Sequence, residues 1–413
     1  MLYPALPPPA EPPRIVVTGA GVVSALGIGW EANELGFRAG RPAFRPVTQF
    51  DVSRQRVQVA AEVDLPDDLP QTCLAPRQVK RLDRASRMLL LAAVEAWRQT
   101  GWEAHEDIPW VLGTTAGGMS LGEAYFRQAV QSPLHHRGQP TRAMLYQSHV
   151  QARLVADTIG FQGPVTIISN ACASGANALG RAWELLRRGR AQRVLSGGYD
   201  ALCQLVFSGF DSLRSMSPTT CRPFDARRDG LRLGEGAAVM ALETLDSARR
   251  RGAEILGEIA GYATTIDLHH LTQPHPAGDA ALACMTQACN SAEIGPAAVG
   301  YVNAHGTGTL LNDSSEAIAI RRWAGTCAAA LPVSSSKAAV GHLLGAAGAI
   351  EAVVCLMAMR GKWLPPQLAF EIPDPVCTFS VLDKPRDAVV DVALSNSFGF
   401  GGVNATLVLR RWV

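Results

Sequence analysis

The chain has 413 residues, 47% of them hydrophobic and 18% charged, enough apolar content to bury a large core in two structural units. A formal net charge of +2 gives no global attraction to nucleic acid or to an anionic membrane surface. Nine scattered cysteines show no metal-ligand spacing, no apolar run approaches a membrane span and the N-terminus lacks a signal-peptide pattern, so the expectation is a reduced, cytoplasmic chain off the membrane.

Residues 1–13 carry six prolines and read as an extended, poorly ordered leader. A strand over 14–18 then enters a Gly19-Ala20-Gly21 turn. The turn looks like part of a dinucleotide fingerprint, but Ser24 stands where the third glycine belongs and no acidic residue follows a second strand convincingly. Apolar spacing predicts one helix over 78–99, a strand over 110–114 entering TTAGGM, and a helix over 143–159.

The central unit is PVTIISNACASGANALGRAWELLRRG, residues 164–189. Its β-branched start predicts a strand over 165–169 and its apolar periodicity a helix over 176–188. Between them only small residues surround Cys172, as on a nucleophile elbow. The helix N-terminus there would favour thiolate over thiol. Strands over 193–198 and 237–242 follow, joined by the long loop 221–236.

In the second half, strands are expected at 255–263, 300–303, 332–335, 392–395 and 405–409, and helices at 278–292, 313–324 and 345–359. Residues 331–361 echo 164–189: strand, small polar turn, glycine-rich helix entry, long helix, then Arg-Gly. That echo implies a duplicated α/β fold with mixed sheets covered by helices, divided as leader 1–13, an N-terminal half 14–254 and a C-terminal half 255–413.

A thiol needs a base, an orienting group and an anion site before it carries chemistry. His305, in VNAHGTGT, ends an apolar strand among glycines. His342, in VGHLLGAAG, opens a helix, where the positive dipole end would keep its imidazole neutral. Lys337 is one of only four lysines and lies in a stretch without another charge until Glu351, so the two should pair. The loop SNSFGFGGVN offers backbone N–H groups that can approach a substrate oxygen closely.

ACASG, VNAHGTGT, SSSKAAVGHLLGAAG and SNSFGFGGVN resemble the four signature blocks of β-ketoacyl-acyl carrier protein synthases, and the likeness runs from about residue 14 to 412. His342 aligns the chain with the elongating type I and II branch, which carries Cys-His-His where the initiating branch has Cys-His-Asn. The resemblance implies a thiolase-like fold of two duplicated halves, with mixed five-stranded sheets and helices in layers. It makes Cys172 the nucleophile, His305 and His342 the decarboxylation pair, Lys337 the supporting lysine and Glu351 its structural neighbour. Phe400 would gate the acyl pocket and, with Cys172, supply the oxyanion-hole N–H groups. Thr272, Thr307 and Thr309 would line the pantetheine tunnel, and Phe398 joins the substrate-binding set.

The implied reaction is decarboxylative condensation of an acyl thioester with malonyl-carrier, in fatty acid synthesis or in a type II polyketide or polyene pathway, with no metal or other cofactor. The implied partners are an acyl carrier protein and a second subunit, identical or a chain-length partner. Arg77, Lys80, Arg81, Arg84 and Arg87 recur at helical spacing and would present a basic face to an acidic carrier. Asp211 stands about where several relatives have a basic residue near that surface. A papain-like hydrolase would need neither the lysine nor the second histidine. A degradative thiolase would usually carry a second cysteine near the C-terminal glycine loop, and 396–404 has none. A silent chain-length subunit typically lacks the nucleophile.

Overall fold

The computed structural model describes residues 11–73, 75–80, 82–103, 107–132 and 144–413. Residues 1–10 of the expected leader, Arg81 and the start of the helix expected at 143–159 lie outside the described residues. Ten strands carry the fold. The first five are β1 (Ile15–Ser24), β2 (Trp110–Gly113), β3 (Val165–Ile168), β4 (Arg193–Asp200) and β5 (Gly236–Thr244). The second five are β6 (Gly257–Ile266), β7 (Tyr301–Asn303), β8 (Pro332–Ser334), β9 (Val392–Phe398) and β10 (Val403–Arg410).

The first set lies in the order β3-β2-β4-β5-β1 and the second in the order β8-β7-β9-β10-β6. Pairing is parallel, parallel, antiparallel, antiparallel in both. The same order and the same directions occur twice, as the internal echo predicts. The sets are also joined: β1 pairs antiparallel with β6 through Ile15–Ile259 and Val17–Gly257, so the two five-stranded sheets run on as one.

Helices α1 (Arg84–Thr100), α2 (Ser174–Arg187), α3 (Gln204–Ser212), α4 (Asp279–Ser291), α5 (Leu310–Ala324) and α6 (Ala347–Gly361) complete the layers. α2 and α6 pack against each other and against strands of both halves, while α1 covers β1 and β5 and α4 covers β6 and β10. α6 is apolar on all sides because it has protein on all sides. The window Leu344–Gly361 is long and apolar enough to cross a membrane, yet 89% of it is buried inside the protein.

Two expectations change here. The segment Gly19-Ala20-Gly21 is not a turn but the middle of β1, because the α1 backbone crosses it closely. A Cβ on Gly19 would lie 2.4 Å from the Ala96 oxygen, and one on Gly21 2.0 Å from the Ala92 oxygen. The single helix expected at 78–99 is broken. Residues Pro76–Val79 form one short turn, and α1 starts only where the Asp83 carboxylate accepts the Ser86 N–H at 2.9 Å, a side-chain cap that stops a helix from running through.

The halves meet through glycines. A Cβ on Gly175, in the first turn of α2, would lie 2.6 Å from the Gly345 oxygen, and one on Gly198 in β4 would lie 2.7 Å from the same oxygen. Alanine is the better helix former, so propensity alone favours Gly175→Ala. Overpacking against backbone should reverse that sign and destabilise by about 1–3 kcal/mol. A melting temperature equal to or above that of the wild type in Gly175→Ala would contradict this packing.

Candidate active site

Cys172 lies in the five-residue link, Ser169 to Ala173, between β3 and α2, and the residue before it, Ala171, takes φ 57°, which a residue with a Cβ rarely adopts. Hydrogen bonds hold the link in that shape. The Ser174 hydroxyl donates to the Ala171 oxygen at 2.6 Å and accepts the Asn170 N–H at 3.0 Å, and the Thr115 hydroxyl donates to the same Ala171 oxygen at 2.9 Å. Burial pushes the Cys172 thiol up to about 11, against the opposing pull of the Lys337 charge and of the Phe400 and Cys172 N–H groups. The expectation of a thiolate at the helix N-terminus is therefore reversed: loss of water outweighs the local donors, and the resting sulfur keeps its proton.

His305 follows β7 and is fixed from below by α5. The N–H groups of His305 and Gly306 each donate at 2.8 Å to the two oxygens of Glu316, while those of Thr307 and Gly308 donate to Asp313. Asn396 adds a 3.2 Å bond to Glu316. These two buried carboxylates escaped the sequence reading. Their signal is the three-residue spacing in LNDSSE, one residue after HGTGT, which puts both on one face of the helix that turns back under the loop. Burial raises both carboxyls, Glu316 to about 7.

His342 does not open the long helix, since the 3₁₀ turn Leu344–Ala346 separates it from α6. Its neutrality has other causes. Burial first and the Lys337 charge second hold its imidazole well below the ordinary 6.5, and the same two causes act on His305. The Leu344 N–H donates to His342 Nδ1 at 3.0 Å, so Nδ1 is the unprotonated nitrogen and Nε2 carries the hydrogen. That Nε2, like Nδ1 of His305, is buried without a hydrogen-bond partner among the described residues. The two rings stand 5.4 Å apart, nearly perpendicular, and His305 also faces Phe398 at 5.8 Å.

Lys337 Nζ donates to Glu351 Oε1, with side chains 1% and 2% exposed. Phe400 begins a 3₁₀ turn in which Gly401 and Gly402 have φ 81° and 78°. Its N–H bears on the Cys172 sulfur and its ring stacks on Phe210 of α3 at 5.7 Å. A third missed carboxylate, Asp200 at the end of β4, accepts from the Thr114 hydroxyl at 2.6 Å and from the N–H groups of Thr115, Ala116 and Gly345, tying the TTAGG turn of one half to the other half.

These parts enclose one cavity of about 300 Å³ that reaches the surface. Cys172, His305, His342, Phe398 and Phe400 line it, together with Thr272, Thr307 and Thr309, while Lys337 and Glu351 lie outside the lining. Of the basic set expected for carrier docking, Arg81 lies outside the described residues and the other four do not share one surface role. Arg77 is exposed on the short turn and Lys80 directly after it. Arg84 is turned onto the buried Glu235, and Arg87 donates to the Pro66 oxygen at 2.6 Å. The Asp211 carboxylate is likewise engaged, accepting the Arg56 N–H at 2.8 Å.

The sequence matches the family models of the beta-ketoacyl synthase N-terminal domain over residues 13–248 and C-terminal domain over residues 256–371. A "putative polyketide beta-ketoacyl synthase 1" of Streptomyces halstedii is 37% identical, covering 96% of this chain and 97% of that protein. The "3-oxoacyl-[acyl-carrier-protein] synthase 2" of Synechocystis sp. is also 37% identical, covering 97% of this chain and 99% of that one. A chain of the "ishigamide ketosynthase/chain length factor" superposes with a TM-score of 0.91 at 31% identity, over 98% of this chain and 100% of that chain.

Alkylation of Cys172 by iodoacetamide follows the thiolate fraction. Its rate should climb until about pH 11 instead of levelling near the ordinary thiol value of 9.0. In Lys337→Met the thiol loses the cation that pulls its pKa down, so alkylation at pH 8 should be slower than in the wild type. Faster alkylation in that variant would contradict the assigned electrostatics.

Proposed function

Since the chain belongs to the β-ketoacyl synthase family, with its thiolase-like fold of duplicated halves, we propose that Cys172, His305 and His342 carry out decarboxylative condensation of an acyl thioester with malonyl-acyl carrier protein. The N-terminal half, 14–254, supplies the nucleophile, and the C-terminal half, 255–413, supplies the histidines and the gate. The observation that carries the reading is a buried thiol sharing one cavity with two imidazoles held neutral, one with its Nε2–H free to donate.

The sulfur of Cys172 attacks the acyl thioester carbonyl while its proton passes to a neutral imidazole. His305 suits this step, because His342 Nδ1 is already engaged by Leu344. The carrier thiolate leaves and takes that proton. Malonyl-carrier then enters and loses CO2, and the enolate oxygen receives hydrogen bonds from His342 Nε2–H and from His305. Donors already in place cost no reorganisation when the charge appears. The enolate carbon attacks the acyl-Cys172 carbonyl, whose oxyanion is held by the N–H groups of Cys172 and Phe400. Collapse releases a 3-ketoacyl-carrier two carbons longer and a Cys172 thiolate, which takes up one proton from solvent. Decarboxylation drives the sequence, so the scheme calls on no cofactor.

Lys337, paired with Glu351, holds the histidines uncharged. Phe400 swings on its glycines to gate the acyl pocket, Thr307 and Thr309 hold the pantetheine amides, and Thr272 and Phe398 bound the arm. The 37% identity to the Synechocystis protein supports a place in fatty acid synthesis. A second reading, a type II polyketide or polyene ketosynthase paired with a chain-length partner, is favoured by the superposition on the ishigamide chain and the equal identity to the Streptomyces protein. A homodimer fits the first reading and a heterodimer the second. Nine free cysteines fit a reducing cytoplasm.

The test is mass spectrometry of products from malonyl-carrier and a ladder of acyl-carriers. The wild type should give 3-ketoacyl products and an acyl adduct on Cys172, and Cys172→Ala neither. His342→Ala should keep the adduct while decarboxylation falls by about 10²-fold or more. An acyl adduct on Cys172→Ala, or undiminished decarboxylation in His342→Ala, would refute these roles.

A further inference from the structure

The peptide between Ala171 and Cys172 is one planar unit, so its oxygen and its N–H point in opposite directions and turn together. Whatever fixes the Ala171 oxygen therefore aims the Cys172 N–H. That oxygen takes three donors: the Ser174 hydroxyl at 2.6 Å, the Thr115 hydroxyl at 2.9 Å and the Ser174 N–H at 3.1 Å. Ser174 belongs to the same link and moves with it, whereas Thr115 comes from a separate segment, two residues after β2. Its own N–H is held at 2.8 Å by the Asp200 oxygen that also takes the Gly345 N–H at 2.6 Å. The nitrogen side of the peptide lies against the gate turn, since a Cβ on Gly399 would be 3.3 Å from the Cys172 nitrogen.

We infer that Thr115 is a positioning residue whose hydroxyl aims the Cys172 N–H at the oxyanion formed when a thioester carbonyl is attacked. The inference rests on the reading above that Cys172 is acylated and that its N–H helps to hold that oxyanion. Ala171 needs the support, because φ 57° is costly for a residue with a Cβ and the link relaxes if its oxygen is freed. Donation to the oxygen also polarises the peptide, which makes the N–H at its other end a stronger donor. Since Asp200 ties Thr115 to Gly345, the aim is referenced to the half of the chain that carries the second donor, Phe400.

The test compares Thr115→Val, which keeps the side-chain shape without the hydroxyl, with Thr115→Ser, which keeps the hydroxyl. Acylation of Cys172 by a short acyl-pantetheine thioester, followed by intact mass, should slow about tenfold in Thr115→Val, part of the loss expected from removing a whole oxyanion donor. Alkylation by iodoacetamide builds no oxyanion, so its rate at pH 8 should stay within about twofold of the wild type, which also shows that the variant folds. Thr115→Ser should recover most of the acylation rate, because a serine hydroxyl can donate to the same oxygen. The nitrogen-15 shift of the Cys172 amide, assigned with Cys172→Ser, reports donation to the carbonyl of the same peptide without any chemistry. It should move in Thr115→Val and return in Thr115→Ser. If the wild type takes no acyl adduct, the condensation reading fails while the amide shift still decides whether Thr115 holds the peptide. Unchanged acylation in Thr115→Val, an equal slowing of alkylation, an equal loss in Thr115→Ser or an unmoved amide shift would overturn the inference.

Discussion

The buried ion pair between Lys337 and Glu351 sets the electrostatics of the site. Its cation is the charge whose field acts on Cys172, His305 and His342 together. A lone buried ammonium would be prohibitively costly, and Glu351 is what allows it to stay. With the pair in place, protonating either imidazole means adding a second positive charge to a dry site. The histidines therefore remain donors without charge, which is the state that enolate stabilisation needs.

The same exclusion of water dictates how the surrounding backbone is held. Loops rich in glycine would collapse or solvate unless their N–H groups were taken up. Three buried carboxylates do this: Glu316 and Asp313 beneath the His305 loop, and Asp200 beneath the TTAGG turn. Asp200 also accepts the Gly345 N–H at 2.6 Å, so a residue of the first half fixes the approach of the helix from the second. Gly175, Gly198 and Gly345 let those backbones touch. Duplication thus places a buried thiol from one half opposite two histidines from the other, and the glycine contact fixes their separation.

Much of this was legible in the sequence wherever a chemically distinctive residue stood in a plain setting. Cys172 among small residues, one histidine after an apolar strand, a second at a glycine-rich helix entry and a lone lysine before a lone glutamate each pointed to a partner, and the partners meet. The repeated strand order was legible through the echo of 164–189 in 331–361. What escaped depends on approach between distant segments. Nothing local marks Gly19 and Gly21 as strand residues crossed by a helix. The inward turn of Arg84 requires Glu235, 151 residues away. The thiol's protonation reverses because desolvation is a property of the packed molecule, whereas a helix terminus can be read from five residues.

The central claim is that burial and the Lys337 charge keep both site histidines neutral before chemistry begins. Nitrogen-15 NMR of imidazoles, titrated downward in pH on the intact protein with His305→Gln and His342→Gln variants for assignment, measures that state directly. The account predicts that both resonances remain those of neutral rings well below pH 6.5, with His342 in the Nε2–H tautomer. Protonation of either ring at or above 6.5, or an Nδ1–H tautomer at His342, would contradict it.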